Sequence, residues 1–292
     1  MPVFSFDLVV NAVIAGILLG GFYAAVSLGI CMTFGLLEVA NIAHPVFVVV
    51  GAYAAYMMNS AFGLDPLLTG LLCTPIFYVL GVTVYRIYYA SFERIGEQSL
   101  RGLVFFFGIL FIIEVMLVLT YGVDYRLVEA PYIGRSLRLG PVGIALRLLV
   151  PCIVGVVLTL ALHLFLGKTF SGRAIMGVSQ DALALRLMGA DPVKIKTIAF
   201  GLGIATASLA GALLIIIAPV EPSMGREYIG RAFAIAVLGG MGSIGGTLVA
   251  ALILGVAESL TSTFSGPSWA LAVSFGILLL ALAVRPAGLF GR

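Results

Sequence analysis

The chain has 292 residues, of which 62% are hydrophobic and only 10% charged, with a formal net charge of +3. That composition lies far outside the soluble globular range, so it excludes a soluble enzyme. No stretch is large or polar enough to form a separate soluble domain, and residues 1–292 read as one membrane domain.

In chain order, the heptapeptide MPVFSFD carries no Lys, no Arg and no small-residue cleavage site. It does not read as a cleavable signal peptide, so the first span is expected to stay. Apolar runs long enough for a hydrocarbon core of ~30 Å predict spans at Leu8–Phe34, Val46–Met58, Leu67–Tyr85, Gly102–Tyr121, Val142–Leu166, Ile198–Ala218 and Trp269–Val284. A broken region from Ile229 to Thr261 lies before the last of these. The predicted fold is all-α and polytopic, with about eight transmembrane segments, some of them broken.

Basic residues set the expected orientation. Arg86, Arg94 and Arg101 share one inter-span loop, Lys168, Arg173, Arg186, Lys194 and Lys196 a second, and Arg285 and Arg292 follow the last span. The positive-inside rule places all three groups in the cytoplasm, with the N-terminus outside and the C-terminus inside. The loop after Tyr121 departs from the rule through Arg126, Arg135 and Arg138, although it also holds Asp124 and Glu129. Apolar and polar residues alternate there on both sides of Pro131. That pattern reads either as a small outer β-hairpin, a landing surface for an extracytoplasmic partner, or as a solvated connector.

The polar island Leu166–Lys196 is the longest interruption in the apolar pattern. Ser171 is suited to open a helix, Gly189 to close it, and Asp191 followed by Pro192 to open the next. A capped helix over Ser171–Gly189 is therefore expected at the membrane surface. Met176, Leu183 and Leu187 would share its apolar face, with Arg173, Gln180, Asp181 and Arg186 around it.

Two interrupted segments carry the next signal. In the first, Glu38, Asn41 and His44 recur at spacing three, which puts them on one side of a helical path, and Asn41 or His44 is placed to cap a half-helix. In the second, Gly239, Gly240, Gly242, Gly245 and Gly246 surround Ser243, too dense a run to sustain a helix. Open backbone at membrane depth survives where it meets protein or a wet cavity, and paired broken segments point to a substrate path. The two breaks either face one another across that path or are packing kinks. Gly16, Gly20, Gly21, Gly201, Gly203 and Gly211 read as helix-packing positions, and Cys31, Cys73 and Cys152 as buried packing residues. Of the ionisable groups inside spans, Glu114 has no cation near it in sequence, His163 reaches water at a span end, and Glu258 is placed at an outer interface. There is no catalytic set, no HExxH and no phosphate-binding loop, so any ATP chemistry belongs to another polypeptide.

These residues resemble a known family. VANIAHPVFVVVGAY is similar to the N-F-A-H-G…G-A-Y signature of the LivH-type permeases, the membrane subunits of bacterial ABC importers for hydrophobic amino acids. SGRAIMGVSQDALALRLMGADPVKIK resembles their coupling segment, LGGMGSIGGTLVAALILG their L-G-G-x-G-S-x-x-G signature, and RPAGLFG their tail. The resemblance implies a multi-pass protein of the bacterial inner membrane. Its partners would be a LivM-like second permease, two ATP-binding cassette subunits that hold ATP and Mg, and a periplasmic substrate-binding protein. No nucleic acid is implied, and no cofactor is held by this chain. Carried over by motif, Arg173, Ala174, Ala182 and Gly189 belong to the coupling segment, and Asn41, Ala43, His44, Gly239, Gly240, Gly242 and Ser243 to the two signatures. The chain departs from the family in having Ile42 and Pro45 where Phe and Gly are usual, and family substrates extend to urea, amides and aromatic acids. A secondary transporter or channel is the rival class; it would need neither a docking helix nor a partner.

Overall fold

The computed structural model describes residues 6–95, 100–139, 142–285 and 287–291. The N-terminal residues before Phe6, together with Pro286 and Arg292, lie outside the described set. Helix α1 (Phe6–Ile30) continues as a wider π-helical turn to Leu36, and α2 covers His44–Phe62, α3 Pro66–Ser91 and α4 Leu100–Tyr121. An antiparallel pair, β1 (Ser136–Leu139) and β2 (Val142–Ala145), precedes α5 (Leu146–Lys168). Then follow α6 (Phe170–Gln180), α7 (Ala182–Leu187), α8 (Pro192–Ile217), α9 (Gly225–Gly239), α10 (Ile244–Ser265) and α11 (Ser268–Val284). Among the described residues seven helices are long and apolar enough to cross a membrane, and the shorter α11 is also apolar. The broken region predicted over 229–261 resolves into the end of α9 and most of α10, separated by the glycines.

The first helix and α8 form the centre and are mostly buried, whereas α3, α4 and α5 bury less than a third of their apolar windows. Small residues allow that centre to close. A Cβ on Gly16 would stand 2.5 Å from Val256 Cα and one on Gly20 2.7 Å from Leu252 Cα, so α1 and α10 meet backbone to backbone. Gly21 meets Cys152 of α5 in the same way, and Gly211 lies against α2. All three cysteines are free.

The bundle has two distinct ends. At one, Gly143 N donates to Asn11 Oδ1 at 3.2 Å, which ties the hairpin to α1, and the backbones of Arg126 and Val220 exchange two hydrogen bonds of 2.8 Å. The hairpin is not centred on Pro131. Residues 131–134 form a turn, and the paired strands follow it, taking residues 142–145 from the predicted fifth span. Alternation alone does not locate a turn; it ran on through SLRL and VGIA, where the pairing formed.

At the other end, about 35 Å away along the 23 residues of α5, lie α6 and α7. The single helix expected over 171–189 is split, and Ser171 is not its cap. Thr169 Oγ1 accepts from Gly172 N at 2.9 Å to open α6. Asp181 Oδ1 then accepts from Leu183 N and Ala184 N at 2.8 and 2.9 Å, which ends α6 and opens α7. A short carboxylate that captures these amides offers the backbone an alternative to a continuous helix. Gly189, at φ +83°, closes α7, and Asp191 caps α8 with Pro192 as its first residue, as the sequence indicates.

Candidate functional site: two helix breaks and a docking segment

The first break begins where the π-helical turn ends. Glu38 adopts φ +58° and residues 37–43 are not helical, so Glu38, Asn41 and His44 do not share a helical face. Glu38 is exposed, while Asn41 and His44 are fully buried. Asn41 Oδ1 accepts from Ala43 N at 3.1 Å, which holds the turn that launches α2 from His44. His44 Nε2 sits 3.1 Å from the carbonyl of Val26. A carbonyl only accepts, so Nε2 carries the proton and Nδ1 is left as an acceptor. His44 Nδ1, Asn41 Nδ2 and Ser27 Oγ are each buried without a protein partner. Gly29 admits the imidazole, because a Cβ there would overlap the ring, and Gly225 brings the start of α9 against Pro45 and Val46.

The second break is built by glycine backbone. Gly240 and Gly242 adopt φ +92° and +83°, and Ser243 Oγ accepts from Gly246 N at 3.1 Å to open α10. Positive φ at both positions is the reason glycine stands there. Gly242 packs on Gly35 and Leu36. The tail returns to the same place. Leu289 N donates to Leu238 O at 2.8 Å and Phe290 N to Gly239 O at 3.3 Å, while Gly288 and Gly291 press on Gly240. Two motifs that the sequence presents far apart are therefore one unit.

A cavity of about 690 Å³ opens beside this break at the α6–α7 end, lined by Leu36, His163, Gln180, Ser243, Gly245 and Phe290 among others. The glycine break thus faces α6 through Gly242 and Ser243. Asn41 and His44 pack instead against α1 and sit close to the start of α9. His163 is exposed and lines the cavity beside the glycine break.

Two ion pairs were not legible in the sequence. Arg226 Nε and Nη2 grip both oxygens of Glu114 at 2.8 and 2.7 Å, and its guanidinium lies 4.8 Å over the Phe111 ring. Arg231 Nε lies 3.0 Å from Glu258, which also accepts from Tyr23 at 2.5 Å and from Ser274. Glu258 is therefore not an interfacial residue. It is 2% exposed, and a cation with two hydroxyl donors satisfies it. The signal that was available is the pair of arginines in GREYIGR, two cations with one carboxylate between them ahead of an apolar run.

The α6–α7 segment, expected from the sequence to dock a partner, separates its residues by face. Leu183, Leu187 and Met188 are exposed, as are Arg173, Gln180, Asp181 and Arg186. Met176 instead packs toward the core and the inner cavity, so it does not share the outward face with Leu183 and Leu187. A second cavity of about 690 Å³ lies between α6, α7 and the start of α8, lined by Phe170, Arg173, Ala174, Leu185, Met188 and Ile195 among others.

The profile of the permease component of the branched-chain amino acid transport system matches residues 12–282. The chain belongs to this family. It is 30% identical to the high-affinity branched-chain amino acid transport system permease protein LivH of Escherichia coli, over 95% of this chain and 94% of the relative. It is 27% identical to BraD of Pseudomonas aeruginosa over the same shares. A shorter match, 33% identical and covering 40% of this chain and 28% of the relative, joins it to LivM of Salmonella typhimurium. No solved structure gives a significant match. The permease is thus a polytopic, all-α member of a transport family, with the multi-pass architecture its spans require.

Proposed function

We propose that this chain is the transmembrane permease subunit of an ATP-driven importer that passes branched-chain or other hydrophobic amino acids into the cytoplasm. One observation carries the reading: a capped two-helix segment stands at one end of the bundle and presents Leu183, Leu187 and Met188 to solvent. Exposed apolar side chains on a rigid, capped element suit docking to another protein. The partners are two ATP-binding cassette subunits at that end, which hold ATP and Mg, a LivM-like second permease alongside, and a periplasmic binding protein at the hairpin end. The shorter similarity to LivM supports the second permease. The basic residues of the α6–α7 end support a cytoplasmic position for it, with the N-terminus outside the inner membrane.

The path runs past the second break, with Gly239, Gly240, Gly242 and Ser243, and past the exposed Glu38, while Asn41 and His44, buried against α1, shape the first break. It binds its cargo weakly, because a chain fed by a binding protein gains nothing from tight retention. Ile42 and Pro45, unusual for the family, keep a related cargo such as urea, an amide or an aromatic acid as the alternative.

Co-expression with the subunits encoded beside it, followed by reconstitution in liposomes, tests the reading. ATP-dependent uptake of labelled leucine that needs the binding protein is the expected result. Uptake by this chain alone, driven by an ion gradient and indifferent to ATP, would overturn it in favour of a secondary transporter.

A further inference from the structure

We infer that Glu227 faces the aqueous path and meets the cationic group of the translocated molecule. The inference rests on the importer reading above and adds to it the residue that reads the ammonium end of an amino acid.

The first turn of α9 is anchored to the bundle by part of its residues. Gly225 packs on Val46 at the start of α2, and Arg226 reaches Glu114 within α4. The Tyr228 ring stands 6.0 Å from Phe22 and 6.4 Å from Tyr23, near the middle of the span Phe6–Leu36. Between these anchored residues the Glu227 side chain is 61% exposed. Ionisable groups at membrane depth face a bundle interior, a wet cavity or a partner, because a carboxylate in hydrocarbon is too costly.

The charges around it do not cancel. Three carboxylates, Glu114, Glu227 and Glu258, meet two guanidinium groups, Arg226 and Arg231, which leaves one negative charge. Arg226 is held by Glu114 through two hydrogen bonds, and Arg231 is engaged by Glu258 at 3.0 Å while reaching Glu227 only at 4.0 Å. The surplus charge is therefore the exposed Glu227. Arg226, one residue earlier, is turned away to Glu114, so Glu227 is the exposed carboxylate that no guanidinium holds closely. An exposed carboxylate of this kind complements the ammonium group of an amino acid.

The test places a cysteine at Glu227 in the assembled importer and treats sealed vesicles with a small, charged, membrane-impermeant thiol reagent, with modification at position 227 read by mass spectrometry. Labelling is expected, as is its slowing when substrate-loaded binding protein and ATP drive transport. In parallel, Glu227→Gln should lower leucine uptake about tenfold or more, the scale of a lost charge-assisted contact, and Glu227→Asp should recover part of it. The binding protein's own affinity provides the reference for the delivery step. An unreactive cysteine in the assembled importer would show that a partner chain covers the residue and would overturn the proposal. So would loss of the second permease from purified Glu227→Gln complexes, or full uptake by that variant. Failure of the importer reading itself would appear separately, as absence of ATP-dependent uptake in the wild type with the labelling result intact.

Discussion

The amide of Leu289 donates to the carbonyl of Leu238 at 2.8 Å, so the polypeptide that follows the last span completes the helix that the glycine run ends. A helix leaves its final carbonyls without intrahelical donors, and a buried helix end needs some other partner. Here the tail supplies two amides in succession, from Leu289 and Phe290, and glycines on both sides let the backbones touch. The break is thereby fixed in position beside the inner cavity.

Removing the donor without removing the tail isolates this effect. Leu289→Pro should destabilise the purified permease by about 1–3 kcal/mol, the cost of a stranded carbonyl, seen as a lower melting midpoint in detergent. Leu289→Ala keeps the amide and should lose less. Equal losses in the two variants would show that the side chain, and not the hydrogen bond, holds the tail.

The spans, the glycine break and the caps at Gly189 and Asp191 were legible because each is a local property of composition or of one residue's backbone preference. What failed locally was competition. Asp181 is tolerable inside a helix by pattern, yet its carboxylate captures the amides of residues 183 and 184 and splits the docking segment. The ion pair of Arg226 with Glu114 joins residues 112 positions apart, and no periodicity reports such a distance. Glu38, Asn41 and His44 have helical spacing, but Glu38 at φ +58° ends any helix before Asn41 is reached. Of the expected path residues, the structure brings Gly242 to Gly35 and Leu36 and buries Asn41 and His44 beside α1, a tertiary choice that sequence spacing does not encode.

The outward face of α7 should carry coupling. Leu183→Asp combined with Arg186→Glu changes two exposed residues and leaves the core untouched. Substrate-stimulated ATP hydrolysis and uptake should both fall severalfold or more in the reconstituted importer, as expected when apolar anchors of an interface are lost. The melting midpoint of the isolated permease should stay within about 2 °C of the wild type, since exposed substitutions cost little. Wild-type coupling in this double variant would rule out α7 as the docking surface.

The two ion pairs should differ in how much they matter. Glu258 is 2% exposed and its loss would strand Arg231, whose side chain is only 15% exposed. Glu258→Ala should therefore cost about 3–5 kcal/mol, as for other buried pairs broken on one side. Arg226 is 52% exposed and so far less enclosed than Arg231, so Glu114→Ala should cost distinctly less. Thermal melts of the two variants in one detergent decide the order, and a larger loss for Glu114→Ala would contradict it.

Glycine-to-alanine substitution separates the helix contacts that close the centre from glycines that merely face outward. A Cβ at Gly29 would overlap the His44 imidazole, which sits between α1 and the start of α2 with Nε2 on the Val26 carbonyl. The ring has no slack, because His44 is fully buried and the backbone of α2 begins at that residue. Gly29→Ala must therefore push α2 away from α1 or break the Val26 contact, and overpacking of this kind costs about 1–3 kcal/mol or more. Gly108 in α4 has open space around the same position. Gly108→Ala should be neutral or stabilising, since alanine restricts the unfolded chain and favours helix by up to about 1 kcal/mol. The two melting midpoints, measured against wild type by fluorescence-detected size-exclusion chromatography after heating, should move in opposite directions or at least differ by several degrees. Tolerance of Gly29→Ala would mean that α2 does not start against α1 as described, and would detach Asn41 and His44 from the site assigned to them.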